Sequence, residues 1–246
     1  MDDIRQLEIG DGLRLAYRYR PGRGPVLVFL PGYMSDMEGG KATALDSWAA
    51  SEGRAMLRFD YAGCGASDGD FETQTLANWR GDALAMIDEV AQGEVVLVGS
   101  SMGGWLMLLA ALARPERVAG LVGIAPAPDF TAWGFSQEQK LAILREGRLE
   151  EPSPHADRPY VTTRAFWESG ETLRLLHAPI AVDCSVRLLH GQADADVPWA
   201  NTLELVKRLR SADVQATFIK DGDHRLSRER DIALLIATVD RLLEVL

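Results

Sequence analysis

Cysteine is scarce in this chain of 246 residues: Cys64 and Cys184 stand far apart and form no Cys-x-x-Cys pair. That excludes a disulfide framework or a thiolate metal centre as the basis of the fold, and it suits a reducing compartment. Basic charge is also short, with 26 Lys and Arg against 36 Asp and Glu and a net charge of −10. A protein that tracks a phosphate backbone needs the opposite balance, so nucleic acid and anionic membrane surfaces are not expected partners. Long apolar runs are missing too. The longest, Trp105 to Ala113, is about half of the ~18 residues needed to cross a bilayer, so no membrane span is expected. The N-terminus, Met1-Asp2-Asp3-Ile4-Arg5, is acidic where a secretory or transit segment is basic and then apolar. The expectation is a cytoplasmic protein.

What is present is an ordinary globular composition, 47% hydrophobic and 25% charged, at a length that one α/β domain over residues 1–246 can fill. Short apolar runs alternate with amphipathic stretches, the pattern of a mostly parallel sheet with crossover helices on both faces. Val26–Leu30, Met56–Phe59, Val95–Val98, Val118–Ile124, Val186–Leu189 and Thr217–Ile219 are the expected strands, and residues 4 to 20 read as an antiparallel hairpin at the sheet edge. Leu76, Trp79, Ala83, Ile87 and Val90 recur at helical spacing, as do Ile232, Leu235, Ile236, Val239, Leu242, Leu243 and Leu246. Residues 128–182 break the rhythm with several prolines, a short helical pattern at Leu141, Ile143 and Leu144, and the aromatics Phe130, Trp133, Phe135, Phe166 and Trp167. This segment reads as an inserted cap, with some of its aromatics expected to line a pocket.

Gly99-Ser100-Ser101-Met102-Gly103 stands between an expected strand and an apolar helix. Such a turn presents its middle residue on a strained backbone above the sheet edge, so Ser101 is the candidate nucleophile. Ser100 fails the spacing, because Val98 lies two residues before it. A serine hydroxyl needs a base, itself oriented by a carboxylate. His155 and His177 sit beside prolines, and His190 ends an apolar run where it should support a turn. His224, in the polar loop Asp221-Gly-Asp-His224 before the C-terminal helix, is the candidate base. The acid should follow a strand between serine and histidine. Asp194 is preferred to Asp196 there, being nearer the strand end, while Asp196 is placed to cap the following helix. An oxyanion needs preorganised donors. The backbone N–H groups of Met102 and of Tyr33, in the turn Pro31-Gly32-Tyr33, are the expected pair. The glycine-rich stretch from Asp60 to Ser67 reads as a tight structural turn, since no Lys follows to complete a phosphate cradle. The chemistry calls for no metal and no organic cofactor.

Several stretches carry a resemblance: Leu30-Pro-Gly-Tyr33, Arg58-Phe-Asp-Tyr61, Val98-Gly-Ser-Ser-Met-Gly-Gly-Trp-Leu-Met107, Arg187-Leu-Leu-His-Gly191, Val197-Pro-Trp199 and Asp223-His-Arg225. The sequence resembles the α/β hydrolases, and more narrowly the small serine-hydrolase family of animal mitochondrial and bacterial members with acyl-protein thioesterase and acyl-glucuronide esterase activity. The resemblance implies an α/β-hydrolase fold, a triad of Ser101, Asp194 and His224, and a small-molecule or acylated-protein substrate cleaved through an acyl-enzyme. A peptidase or lactonase would use the same residues. A non-catalytic binding protein of this fold would carry a damaged triad, and none is visible here.

Overall fold

A computed structural model describes residues 3–152 and 159–246. A hairpin of β1 (Arg5–Glu8) and β2 (Arg14–Arg20) leads into β3 (Arg23–Leu30), and α1 (Gly40–Ser51) crosses to β4 (Arg54–Phe59). Next, α2 (Leu76–Ala85) precedes β5 (Val95–Ser100), and α3 (Met102–Ala113) precedes β6 (Val118–Ile124). The chain then leaves the sheet through α4 (Phe130–Trp133), α5 (Gln137–Glu146), a second hairpin of β7 (Arg148–Glu151) and β8 (Tyr160–Thr163), and α6 (Arg164–Thr172). It returns as β9 (Ser185–Gly191), α7 (Ala200–Arg208), β10 (Val214–Ile219) and α8 (Glu229–Leu243).

Among the described residues the main sheet has eight strands in the order β1-β2-β4-β3-β5-β6-β9-β10. From β4 to β10 every pairing is parallel, and only the β1–β2 hairpin and its junction with β4 are antiparallel. The central strands read as unbroken apolar runs because both faces are covered. Val26, Val28 and Leu30 pack with Trp79 of α2 and Trp105 of α3 on one side. Leu27 and Phe29 pack with Leu45 of α1 and Leu235 of α8 on the other. The one-residue alternation of the pleat thus divides each strand between two cores.

All six expected strands lie inside observed ones, but β10 starts at Val214, three residues before the apolar cluster that announced it. The helix α1 has no counterpart in the reading of the sequence. Gly, Ala and Ser dominate it, so its apolar contrast is weak, and Gly39 at its N-cap offers no capping side chain. The amphipathic stretch to Val90 closes in a π-helical turn, Met86–Val90. Glycines at Gly63 and Gly65 hold positive φ in the turn after β4, and a side chain at Gly65 would run into the Asp60 carboxylate. That buried carboxylate accepts the N–H groups of Met37 at 2.7 Å and Ala66 at 2.8 Å, so the stretch is a structural turn that also anchors the loop after β3. No helix among the described residues is long and apolar enough to cross a membrane.

The segment between β6 and β9 is fastened to the sheet side of the molecule by specific bonds. Arg148 pairs with Glu72 at 2.7 Å, Ala77 N–H donates to Ser169 Oγ at 3.0 Å, and Trp105 Nε1 donates to Leu173 O at 3.2 Å. Tyr33 Oη donates to Val161 O, and its ring lies edge-on to Phe71, Trp79 and Phe130.

Candidate active site

Parallel pairing brings the carboxyl ends of β3, β5, β9 and β10 to one end of the sheet, where an open α/β sheet gathers its ligand-binding loops. Ser101 follows β5 directly and adopts φ 54°, ψ −119°. For a residue with a side chain, such a conformation costs on the order of 1–3 kcal/mol and must be held from outside. Ser101 N–H donates to Ile124 O at 2.9 Å, and Ser101 O accepts from Gly104 N–H at 2.9 Å and Ala127 N–H at 3.0 Å. A methyl group at Gly103 would strike the carbonyls of Leu30 and Pro31, and one at Gly99 would lie 2.7 Å from the Gly103 carbonyl carbon. The two glycines are there because β5, α3 and the turn after β3 approach backbone to backbone.

The loop between β10 and α8 carries His224 to this turn. Its Nε2 lies 3.1 Å from Ser101 Oγ and its Nδ1 lies 2.8 Å from Asp194 Oδ2. Asp194, in the loop after β9, is fully enclosed at its side chain. Oδ1 accepts the N–H groups of Asp196 at 2.9 Å and Val197 at 2.8 Å. Burial pushes the Asp194 carboxyl up, but hydrogen bonds from His190, His224 and Val197 outweigh it and hold the group well below the usual carboxylate range. The carboxylate therefore stays charged against His224.

Asp196 does not cap the next helix. The N-cap of α7 is Trp199, and Asp196 points its backbone N–H back to Asp194 instead, which corrects the expectation. Asp194, Asp196 and His224 bring three potential ligand atoms within 4.8 Å of one another. Two of those groups are already bonded together, Asp194 Oδ2 to His224 Nδ1. Met102 opens α3, and the turn containing Tyr33 lies against Ser101: a Cβ at Gly32 would sit 3.4 Å from Ser101 Cβ.

A cavity of about 620 Å³ opens above Ser101 and His224. Phe130, Trp133 and Phe135 form part of its wall, joined by Tyr160 and Thr162 of β8. Two further aromatics of 128–182 face elsewhere. Phe166 is buried against Tyr33 and Trp79, and Trp167 Nε1 donates to Thr131 O at 3.0 Å. His155 lies outside the described residues. The lining also includes polar residues, Lys41 and Arg225 among them. Burial pushes the Lys41 ammonium down to about 8, and its Nζ donates to Arg225 O at 2.5 Å, next to His224. Reasoning from sequence missed Lys41 because it missed α1.

The sequence pattern of the Alpha/beta hydrolase family matches residues 27–244. This protein belongs to the α/β hydrolase family. The hydrolase is 44% identical over 236 residues to the human palmitoyl-protein thioesterase ABHD10, mitochondrial, covering 94% of this chain and 77% of that one. Against the solved structure of mouse alpha/beta hydrolase domain-containing protein 10 it has a TM-score of 0.92 at 41% identity, covering 98% of each chain. Est1E from Butyrivibrio proteoclasticus, at 22% identity and a TM-score of 0.79 over 95% of this chain and 96% of that one, shares the fold. The expectation of a cytoplasmic protein is overturned here: the human and mouse relatives of this hydrolase are named mitochondrial. An acidic N-terminus is a weak guide to compartment, since it reports only on the first residues of the sequence in hand.

Proposed function

We propose that this hydrolase cleaves long-chain acyl thioesters, acylated proteins among them, by acylation of Ser101. In this reading His224 takes the Ser101 proton as Oγ attacks the acyl carbonyl carbon, then returns it to the departing thiolate. Asp194 holds the imidazole with Nδ1 protonated and stabilises the imidazolium. Met102 N–H and Tyr33 N–H receive the oxyanion, the first at a helix N-terminus. Water activated by His224 then hydrolyses the acyl-enzyme, and no metal or organic cofactor takes part. Residues 128–182 act as a cap over a single domain, and Phe130, Trp133 and Phe135 hold the acyl chain.

The observation that carries the reading is the 3.1 Å approach of His224 Nε2 to a Ser101 Oγ held at positive φ, beneath a cavity with an aromatic wall. The names of the human and mouse relatives support a palmitoyl-bearing protein substrate. A second reading, an oxygen ester of a sugar acid such as an acyl glucuronide, is favoured by the polar lining residues Ser35, Asp36, Lys41 and Arg225, which could hydrogen-bond a hydroxylated leaving group. A serine-directed fluorophosphonate should label the protein at Ser101. Ser101→Ala should abolish the labelling, and Ser100→Ala should leave it. Labelling that persists in a natively folded Ser101→Ala protein removes the nucleophile. A panel of acyl thioesters and oxygen esters of graded length, ranked by kcat/KM, separates the two substrate readings.

A further inference from the structure

Asp194 is touched by a second histidine that the triad chemistry does not use. His190 closes β9 with no exposure at all, and its Nε2 lies 3.2 Å from Asp194 Oδ2, the same oxygen that receives His224 Nδ1. The same Nε2 is 3.0 Å from Val197 O, and Nδ1 is 2.7 Å from Thr202 Oγ1, itself fully buried on α7. For a neutral ring, these partners decide which nitrogen carries the hydrogen. A carbonyl oxygen and an ionised carboxylate oxygen can only accept, so Nε2 carries the hydrogen. Thr202 can donate, and its hydroxyl then satisfies the bare Nδ1. In the alternative tautomer, a bare Nε2 would face two acceptors inside the core, and lone pairs opposed in this way cost as much as a buried unmade hydrogen bond.

We infer that His190, locked as the Nε2–H tautomer by Thr202, is a positioning residue that fixes the Asp194 carboxylate toward His224. The inference rests on the triad reading above. Two of the groups around the carboxylate come from the β9–α7 connection, the Asp196 and Val197 N–H groups on Oδ1, and a third comes from β9, where His190 Nε2 approaches Oδ2 to 3.2 Å while also bonding Val197 O. The fourth, from His224, belongs to the group that must be oriented. Without His190, one flank of Oδ2 faces buried space with no donor, and the carboxylate is held by Asp196 and Val197 on Oδ1 alone. On the Oδ2 side, the bond to His224 would then have to supply the orientation it depends on. With His190 in place, the carboxylate keeps its aim while His224 gains and loses the Ser101 proton. Loss of the partner behind a metal-ligating side chain costs about 10- to 100-fold, and a loss of that order is expected for the carboxylate here.

The experiment has two arms. In the first, the unmodified enzyme labelled with ¹⁵N-histidine is read by two-dimensional NMR at neutral pH. His190 should show the protonated Nε2 and bare Nδ1 pattern, assigned by loss of its signals in His190→Gln. A protonated Nδ1, whether Nε2 is bare or protonated, overturns the proposal, and this arm does not depend on any variant keeping its activity. In the second, His190→Phe should lower kcat about 10- to 100-fold with KM for a short acyl ester unchanged. It should also broaden or shift the low-field proton of the Asp194–His224 hydrogen bond. His190→Gln, which can return an N–H near the Nε2 position, should recover most of the rate. A folded His190→Phe enzyme with wild-type kcat and an unchanged low-field proton overturns the proposal while leaving the triad intact. Retained activity in Ser101→Ala would instead sink the triad reading itself.

Discussion

Asp194 is where the hydrogen bonds of the site converge, and its burial makes each of them count. A carboxylate taken out of water is tolerated only when donors replace the lost hydration. Here the N–H groups of two backbone positions and two imidazoles do so. Asp194→Asn keeps the size of the side chain but presents an amide to His224 and favours the wrong tautomer, so kcat should fall by as much as ~10⁴ with the fold intact. Asp196→Asn should change kcat little, because Asp196 serves Asp194 through its main-chain N–H, which the substitution keeps. Steady-state kinetics on both variants, with circular dichroism as the folding control, decides between them. The larger loss at Asp196 would transfer the acid to that position.

At the scale of elements, the segment between β6 and β9 does two separate jobs with one set of aromatics. Trp133 lines the cavity, tethered by its Nε1 to Pro128 O at 2.8 Å. Phe166 is fully buried and knits α6 to Tyr33 and Trp79. The two should therefore fail differently when truncated. Trp133→Ala should lower kcat/KM more for long acyl chains than for acetyl, with ~0.8 kcal/mol at stake for each methylene that loses its wall. Phe166→Ala should lower the melting temperature, reflecting a loss of about 3–5 kcal/mol, and should reduce activity evenly across chain lengths. A uniform loss for Trp133→Ala would leave the acyl-pocket reading of this wall without support.

For the whole molecule, the sheet separates two cores, and the polar groups trapped in them set how stability responds to pH. Asp82 of α2 is buried and accepts the Ala62 N–H at 2.8 Å, tying the helix to the turn after β4. Burial pushes its carboxyl up to about 6, only partly offset by that N–H. A carboxyl with a raised folded value works against the fold when ionised. The penalty is largest near neutral pH, shrinks as the pH falls through about 6, and vanishes below the unfolded value of ~3.9, where both states are protonated. Asp82→Asn keeps an oxygen for Ala62 and removes the charge. It should raise stability by about 1–3 kcal/mol at pH 7 and by close to nothing near pH 4. Denaturant melts at the two pH values test this, and an equal effect at both would mean that the charge at Asp82 is not what strains the core.

The sequence by itself determined the elements whose local pattern is self-sufficient. Val95–Val98 must be buried, Gly99 and Gly103 must flank a turn, and a hydroxyl at Ser101 with no base beside it in the chain must find one elsewhere. The mostly parallel sheet from β3 to β10 follows from runs too apolar to face water on either side. What escaped was whatever depends on partners distant in the chain. The helix α1 is made of residues too small to show a face, and only packing on Met56 and Leu235 reveals one. Nearness to the strand end favours Asp194 over Asp196 in the sequence, but only the bend after Gly191 brings the Asp194 oxygen to His224. Among six aromatics in one insertion, composition assigns no direction, and only the fold puts Phe130, Trp133, Phe135 and Tyr160 on the cavity wall and keeps Phe166 for the core. The tautomer of His190 likewise depends on Thr202, Val197 and Asp194 arriving together. A hydrogen bond has a direction and a sheet has faces, and both are fixed only when distant parts of the chain meet.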